Sequence, residues 1–270
     1  MPEATLLALL LRAHDDELRT DAEFSGAEDV RRIGPVWLGR FGTRGFASYR
    51  DLAGVDGADL DRLIGEVVHA FASDARVESF EWKTRGHDRP ADLAAHLAVA
   101  GLAAQEAETV MIGEANALAA SVAPVAGVVV RRAVEGGDLA ADVASVGRLH
   151  REVFGPGSPN VDEQVLRMLA AQRATEELWL AETGGEVIGA GRLSRVPGTR
   201  FAGLWGGAIA EGHRHRGIYR ALTAARARSA LRMGAELVYA ECTEFSRPIL
   251  ARSGLVAVTT TTPWLWRRPA

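Results

Sequence analysis

Apolar residues in the second half of the chain change repeatedly between helix-like and strand-like spacing. From 138 to 154 they recur every three or four positions, as on one helix face, and Asp138 is suited to cap the start. Gly184-Gly185 separates two strand-like runs and predicts a hairpin turn. The predicted elements are, in order, a strand at 128–134, helices at 138–154 and 161–174, strands at 178–182, 187–193 and 201–210, a helix at 218–233, a strand at 237–242, a short helix at 246–252 and a strand at 255–266.

The order of these elements predicts a mixed sheet. The three strands between 178 and 210 follow one another through short turns, so we expect them to pair antiparallel. The strand at 237–242 follows a long helix, which is expected to return the chain parallel to its neighbour. The predicted fold class is therefore α/β of the α+β kind, a mixed sheet flanked by helices, and not a doubly wound sheet.

The first half of the chain shows a less regular pattern. Helix spacing at 6–18 and 60–71 flanks strand and turn material at 30–41. A small, uncharged stretch at 119–127, interrupted by Pro124, separates the two halves. The predicted domains are therefore residues 1–122 and 127–270.

An internal repeat is indicated by features that recur in both halves. Each half has a strand, an Arg-Pro pair that opens a helix, a Gly-Leu pair that ends it, a threonine and a further strand. Coincidence is the alternative, since Pro near a helix start and Gly after a helix end are common. The pairs are Arg89-Pro90 and Gly101-Leu102 in the first half and Arg247-Pro248 and Gly254-Leu255 in the second.

Composition and charge argue against several classes of binding partner. The 270 residues have a formal net charge of -4 and a pI of about 6.0, which argues against a non-specific nucleic-acid binder. The single Cys242 cannot form an intrachain disulfide or a cysteine-rich zinc site, and no carboxylate–histidine cluster supports a metal at His213 and His215. The apolar run Leu6 to Leu11 is too short to span a bilayer and precedes acidic residues. We expect a cytoplasmic protein with no nucleic-acid, membrane or metal partner.

The strongest candidate chemistry is the sequence EGHRHRGIYRA, Glu211 to Ala221, between a predicted strand and a predicted long helix. Backbone N–H groups at a helix N-terminus point outward, and the helix dipole adds positive potential there. Arg214 and Arg216 add charge, and Gly217 lets the backbone approach a bulky anion. These features predict a diphosphate site. A solvated basic helix start without a ligand is the alternative.

The residues from Arg214 to Leu222 resemble the CoA-binding motif of the GNAT superfamily of acetyltransferases, Arg/Gln-x-x-Gly-x-Gly/Ala between a strand and a long helix. Arg214 and Gly217 match, whereas Tyr219 replaces the usual Gly or Ala and His215 replaces another frequent glycine. The element order from 128 to 266 is also similar to the GNAT order. The resemblance implies a GNAT domain at 127–270 and a degenerate GNAT-like N-terminal half, hence two tandem modules. The first module lacks such a loop and is not expected to bind CoA in the family's manner.

The resemblance implies acetyl transfer from acetyl-CoA to an amine. The loop backbone would hold the pyrophosphate, and the strand end would pair with the pantetheine, one N–H facing the thioester oxygen. The predicted CoA-binding residues are Ala208, Ile209, Ala210, His213, Arg214, His215, Arg216, Gly217, Ile218, Tyr219 and Arg220.

A general base is needed because an amine is mostly protonated at neutral pH. Glu241, in a strand expected to line the cleft, is the first candidate, and Glu244 and Glu211 are alternatives. For Glu241 the structural alternative is a salt-bridged or edge-exposed carboxylate. For Glu211 it is a cap on the following helix.

The departing thiolate needs an acid, and many GNAT enzymes use a tyrosine on the last short helix. The matching residue here is Leu250, which cannot donate a proton. Ser246 and Tyr219 are the candidate substitutes, and solvent is a third. Cys242 is expected to be an inert core residue.

The predicted function is an N-acetyltransferase that transfers an acetyl group from acetyl-CoA to a primary amine of a small molecule or a protein. Leu250 and the degenerate first half motivate an alternative, a non-catalytic acyl-CoA-binding or regulatory protein. A third hypothesis is an interaction protein whose basic turn recognises another phosphate-bearing partner.

Overall fold

The computed structural model describes residues 3–120, 122–133, 138–155, 162–172 and 174–269. No helix in this described part is both long and apolar enough to cross a membrane. The α-helices are α1 (Glu3–Glu17), α2 (Gly57–Ala72), α3 (Leu93–Val99), α4 (Ala115–Ala119), α5 (Leu139–Phe154), α6 (Asp162–Ala171), α7 (Ile218–Arg232) and α8 (Arg247–Ser253). The strands are β1 (Asp29–Ile33), β2 (Val36–Phe41), β3 (Arg44–Ser48), β4 (Ser79–Arg85), β5 (Ala103–Ala104), β6 (Glu108–Glu114), β7 (Val129–Arg132), β8 (Glu176–Thr183), β9 (Glu186–Arg195), β10 (Phe201–Ile209), β11 (Leu237–Cys242) and β12 (Val256–Arg267).

The chain forms two compact units. The N-terminal unit contains Met1–Val110, Glu241–Glu244 and Ala257–Ala270, and the C-terminal unit contains Met111–Ala240 and Phe245–Val256. The last strand thus packs with the N-terminal residues, which no local sequence pattern indicates. The domain boundary between residues 122 and 127 stays a prediction.

The C-terminal unit contains the predicted mixed sheet, which is confirmed. Its strand order is β7-β8-β9-β10-β11. The first four strands pair antiparallel, and α7 carries the chain from β10 to β11, which pair in parallel. The fold class inferred from the element order is therefore correct.

One apolar helix face builds the core of the C-terminal unit. Val143, Val146 and Leu149 of α5 pack with Leu180 and Ala190 of the sheet. The Asp138 carboxylate accepts the N–H of Ala141 at 2.9 Å, so the predicted cap of α5 is confirmed.

The N-terminal unit repeats the order found in the C-terminal unit. Strands β1, β2 and β3 form an antiparallel meander, α2 follows, and β4 pairs with β3 in parallel before the short helix α3. Strand β12 then pairs antiparallel with β4, with Trp264 opposite Trp82. Both units thus share a meander, a helix, a parallel strand and a short helix, in agreement with the internal repeat.

The two faces of β4 have different chemistry. Phe80 and Trp82 point into the apolar core, whereas Glu81, Lys83 and Arg85 alternate with them along the strand. Phe80 stacks on Phe71 with ring centroids 4.5 Å apart and also contacts Trp266 of β12. The apolar face therefore connects α2, β4 and the last strand of the chain.

Some predicted boundaries are corrected. Arg89-Pro90 does not open the helix of the first half, because Pro90 lies in a turn whose carbonyl accepts the N–H of Leu93, where α3 begins. The strand predicted at 128–134 covers Val129–Arg132, and position 134 lies outside the described residues. The predicted end of α5 and start of α6 at 156, 157 and 161 also fall outside them.

We predict that Phe80→Ala destabilises the protein by about 3–5 kcal/mol, because it removes a ring that is 1% exposed and leaves a cavity between α2 and β12. Urea unfolding monitored by tryptophan fluorescence measures the change. The control is Val99→Ala, at a side chain that is 87% exposed, which should change stability by less than about 0.5 kcal/mol. Equal effects of the two substitutions would show that the ring is not part of a packed core.

Candidate functional site

The segment between β10 and α7 has an unusual backbone. Glu211–His213 forms a short 3-10 turn, and α7 begins at Ile218 with Gly217 as its N-cap. Glu211 therefore does not cap α7, contrary to the structural alternative considered for it. Gly217 and His215 both have left-handed backbone angles, with φ of 83° and 63°. Gly adopts this conformation without strain, whereas His215 carries a cost that such functional loops often contain.

Backbone donors in this segment divide into two groups. The N–H groups of His213 and Arg214 are bonded to Ala210 and Glu211 carbonyls at 2.9 and 3.2 Å. The first intrahelical bond of α7 runs from the Ala221 N–H to the Gly217 carbonyl, so donors ahead of Ala221 in the first turn have no intrahelical acceptor. The backbone N–H groups in the first turn of α7 are therefore the donors that could bind an anion.

The side chains around this turn are mostly basic and exposed. Arg214, His215, Arg216 and Arg220 are exposed, whereas Ile218 is buried and anchors the helix start in the core. The Arg214 Nε donates to the Ile209 carbonyl at 3.3 Å, which holds this arginine at the end of β10. The turn therefore combines fixed backbone donors, a helix N-terminus and a positive local potential.

The end of β10 offers a strand edge beside this turn. The ladder with β11 pairs Phe201, Ala202 and Gly203, and in the described chain no later residue of β10 is in that ladder. On the other side, the Ala210 N–H is bonded to the Ile188 carbonyl of β9. Because successive N–H groups of a strand point to opposite edges, the Ile209 N–H faces the edge away from β9. Of the three residues predicted to pair with pantetheine, Ile209 is thus the one turned toward the opening.

An irregularity in β10 lies between helices α5 and α7. The register with β9 shifts between Trp205 and Ala208. His150 of α5 places its Nε2 3.0 Å from the Gly206 carbonyl. Sequence reasoning did not identify His150, because nothing in the local pattern of α5 distinguishes this position.

Tyr219 of α7 lies against the same irregular part of β10. A Cβ atom on Gly207 would be 2.9 Å from the Tyr219 hydroxyl, so only glycine permits this approach. The Tyr219 hydroxyl also bonds to the guanidinium of Arg226, which is 1% exposed and donates to the Arg192 carbonyl at 3.2 Å. Burial lowers the pKa of Arg226, and Tyr219 counteracts this shift. A tyrosine hydroxyl is therefore positioned at β10 by a buried cation.

Glu241 is placed in an ion pair. Its carboxylate bonds to the Lys83 ammonium within the N-terminal unit, and both side chains are largely buried. Burial raises the pKa of Glu241, but Lys83 and Arg85 outweigh it and the net pKa is lowered. The structural alternative, a salt-bridged carboxylate, is thus present, and the role of Glu241 as a base stays a prediction.

The remaining candidates are on or near α8. Ser246 is the N-cap of α8, but its side chain makes no capping hydrogen bond. Leu250 is 1% exposed and Cys242 is buried in β11, as expected for core residues. Thr109 donates to Glu244 at 3.4 Å. Within the described residues, no group of three or more His, Cys, Asp or Glu is arranged to hold a metal.

Comparison with protein families matches residues 145–251 to the Acetyltransferase (GNAT) family. This stretch includes most of α5, the β10–α7 turn and part of α8. The GNAT resemblance inferred from the loop and the element order is therefore confirmed for this domain. A comparison with curated proteins gives no match.

Solved structures share the fold over nearly the whole chain. A GCN5-related N-acetyltransferase from Kribbella flavida is 17% identical, with a TM-score of 0.67, covering 98% of this chain and 96% of its own. A tandem GNAT protein from the clavulanic acid biosynthesis pathway is 16% identical, with a TM-score of 0.61 and coverages of 98% and 95%. A conserved protein of unknown function from Staphylococcus epidermidis is 10% identical, with a TM-score of 0.65 and coverages of 93% and 98%. The tandem GNAT-like fold is thus confirmed.

We predict that Lys83→Met destabilises the protein by about 3 kcal/mol at pH 7, because it leaves the Glu241 carboxylate buried without its ammonium partner. Chemical denaturation of the variant and of Lys83→Met/Glu241→Met measures the effect. The double variant should recover most of the loss, since it removes both charges.

In the unsubstituted protein Glu241 has a lowered pKa. Its contribution to the free energy of unfolding should therefore be present above its unfolded pKa and be lost as pH falls through the folded value. A single variant as stable as the parent would refute the ion pair.

Proposed function

We propose that this protein is an acetyl-CoA-dependent N-acetyltransferase that acetylates a primary amine. The single observation that carries the proposal is the turn before α7, where left-handed residues, the N–H groups of a helix N-terminus and exposed arginines converge beside an open edge of β10. Diphosphates fit such helix N-termini. The match of residues 145–251, which include this turn, to an acetyltransferase family supports the proposal.

In this proposal, backbone N–H groups of the turn hold the diphosphate of acetyl-CoA. Exposed Arg214, Arg216 and Arg220 supply attraction, and Gly217 keeps the backbone close to the anion. The pantetheine arm pairs with the edge of β10 through Ile209, whose N–H faces away from β9. These contacts position the thioester and take no part in the chemical reaction.

Acetyl transfer then needs two proton movements. The neutral amine nitrogen attacks the thioester carbonyl carbon, a C–N bond forms, the C–S bond breaks, and the electron pair leaves on sulfur. The amine must lose a proton to a base, and the thiolate must gain one from an acid.

For the base, His150 is the better-placed candidate in the C-terminal unit. Its Nε2–H donates to the Gly206 carbonyl in the irregular part of β10, so Nδ1 is the ring nitrogen that would accept the amine proton. Glu241 remains the second candidate, but its lowered pKa and its ion pair with Lys83 weaken it as a base.

For the acid, Tyr219 is the first candidate and Ser246 the second. The Tyr219 hydroxyl lies at Gly207 of β10, and Arg226 would stabilise the tyrosinate that forms when the proton moves to sulfur. The Ser246 hydroxyl makes no cap bond to α8. Buried Leu250 offers no proton at the position that the family often uses.

We predict that Gly217→Val abolishes acetyl-CoA binding, because a β-branched residue is strained at a φ of 83° and would displace the turn. Calorimetric titration with acetyl-CoA measures binding. The matched control is Gly212→Ala in the same turn, where an added Cβ meets no atom within 4 Å, and it should bind within about threefold of the parent.

Three results would separate the alternatives. Undiminished binding by Gly217→Val would refute the assignment of the turn. If the parent binds acetyl-CoA but releases no thiol with a broad panel of amines, it is an acyl-CoA-binding protein and the enzymatic proposal fails. If acetyl-CoA produces no heat at all, both CoA functions fail.

We predict different kinetic signatures for the acid and the base. Tyr219→Phe should lower kcat about 10- to 100-fold while acetyl-CoA affinity changes little, because the hydroxyl acts only as thiolate leaves. His150→Gln, which keeps a donor for the Gly206 carbonyl, should lower kcat/KM because it removes the group proposed to accept the amine proton. Thiol release measured from pH 5.5 to 9.5 tests both assignments, with Ser246→Ala as comparator. A full loss in Ser246→Ala, with Tyr219→Phe unaffected, would transfer the acid role to Ser246.

A further inference from the structure

The face of the C-terminal sheet that His150 contacts also carries a half-buried arginine, Arg192 of β9. Its neighbour Gly191 faces α7, because a Cβ atom at Gly191 would lie 2.6 Å from the Arg226 guanidinium. Successive side chains of a strand point to opposite faces of the sheet. Arg192 therefore points to the face covered by α5 and α6, where its Nη1 donates to Met168 Sδ at 3.2 Å.

The guanidinium of Arg192 has weak partners within the protein. A guanidinium carries five N–H donors, and a thioether such as that of Met168 is a weak acceptor. Among the residues that the structure describes, no carboxylate forms an ion pair with Arg192, and the nearby Glu176 accepts the Ser194 hydroxyl at 2.6 Å. Burial lowers the pKa of Arg192, and the charge of Glu176 counteracts this shift only in part. The side chain is therefore a cation whose other donors can bind a ligand.

The irregular part of β10 brings Arg192 and His150 close together. Gly206 has a left-handed φ of 58°, and a Cβ atom there would lie 3.8 Å from His150 Nε2 and 3.9 Å from Arg192 Nε. Glycine keeps this point free of a side chain, and the imidazole and the guanidinium both lie beside it. Since His150 is the proposed base, one small molecule could contact both groups.

Aromatic rings lie on the same face of the sheet. Trp205 is opposite Arg192 in the β9–β10 ladder, so their side chains are on one face. A Cβ atom at Gly203 would be 2.4 Å from Trp205 Nε1, so the indole lies across β10 at Gly203. The indole meets the Tyr239 ring edge-on, with centroids 5.5 Å apart, and both residues are partly buried. They give the guanidinium an apolar neighbouring surface.

The charge and shape of a guanidinium favour a carboxylate as its ligand. A planar guanidinium can bind a carboxylate through two parallel N–H···O bonds, which are stronger than bonds between neutral groups. Its single positive charge matches the single negative charge of a carboxylate. The diphosphate of CoA is assigned to the basic turn beyond the end of β10, where several arginines and backbone donors converge.

We propose that Arg192 binds the carboxylate of the amine acceptor, so that the acceptor is an amino acid whose apolar side chain lies against Trp205 and Tyr239. The amine of the same molecule would lie toward His150. The acceptor role rests on the proposed acetyltransferase function, whereas binding of a carboxylate at Arg192 does not. All of these residues belong to the C-terminal unit.

Calorimetric titration with phenylalanine and phenethylamine tests the proposal, because these two amines differ only in the carboxylate. CoA is present in both titrations, since it occupies the donor site without allowing transfer. The parent should bind phenylalanine at least about tenfold more tightly than phenethylamine. Arg192→Met removes the charge and keeps an apolar stem, and it should reduce this preference to within about threefold. The preference compares two ligands of one variant, so a partial loss of folded protein does not change it.

The matched control is Arg148→Met. Arg148 is exposed on α5, two positions before His150 and therefore on another side of the helix. This variant should keep the preference of the parent for phenylalanine.

Three results would overturn the proposal. Equal or tighter binding of phenethylamine by the parent would show that the carboxylate is not recognised. An undiminished preference in Arg192→Met would place the carboxylate at another cation. No saturable binding of phenylalanine by the parent would refute the site.

Thiol release from acetyl-CoA with the same two amines distinguishes this proposal from the proposed function. Equal kcat/KM for both amines would leave the acetyltransferase proposal intact and refute the amino-acid acceptor. Binding of phenylalanine that depends on Arg192, without thiol release, would support the carboxylate site and contradict its role in acetyl transfer.

Discussion

Backbone N–H groups without intrahelical acceptors at the start of α7 are the constraint on which the candidate site depends. A helix cannot satisfy its first donors internally, so they must find a side chain, water or a ligand. Here the N-cap is Gly217, which has no side chain to cap the helix, and the preceding 3-10 turn uses only the donors of His213 and Arg214. Parallel pairing of β10 with β11 through Gly203 leaves the end of β10 as an open edge beside them.

The two units use one architecture with opposite local charge. Each has a meander, a helix and a parallel strand, so each places a helix N-terminus after its third meander strand. In the C-terminal unit this terminus carries arginines, and in the N-terminal unit it carries Asp51 and Asp56. The fold supplies the position, and the side chains decide which ligand charge is accepted.

The sequence predicted features that depend on local pattern. The helix spacing of α5, the Asp138 cap and the order of strands around α7 all follow from neighbouring residues, and they identified the fold class and the basic turn. Features that depend on distant contacts could not be predicted. Nothing near Glu241 indicates Lys83, which is 158 positions away, and nothing near His150 indicates the Gly206 carbonyl. The helix start predicted at Pro90 is also wrong, because α3 begins at Leu93. A proline can lie one turn before a helix as well as at its first residue.

The most direct measurement of the central claim is a crystal structure of the protein with bound CoA. The account predicts that the diphosphate oxygens lie within hydrogen-bonding distance of backbone N–H groups between His215 and Arg220, and that the pantetheine arm runs along the β10 edge at Ile209. A diphosphate held at another surface of the protein would contradict it.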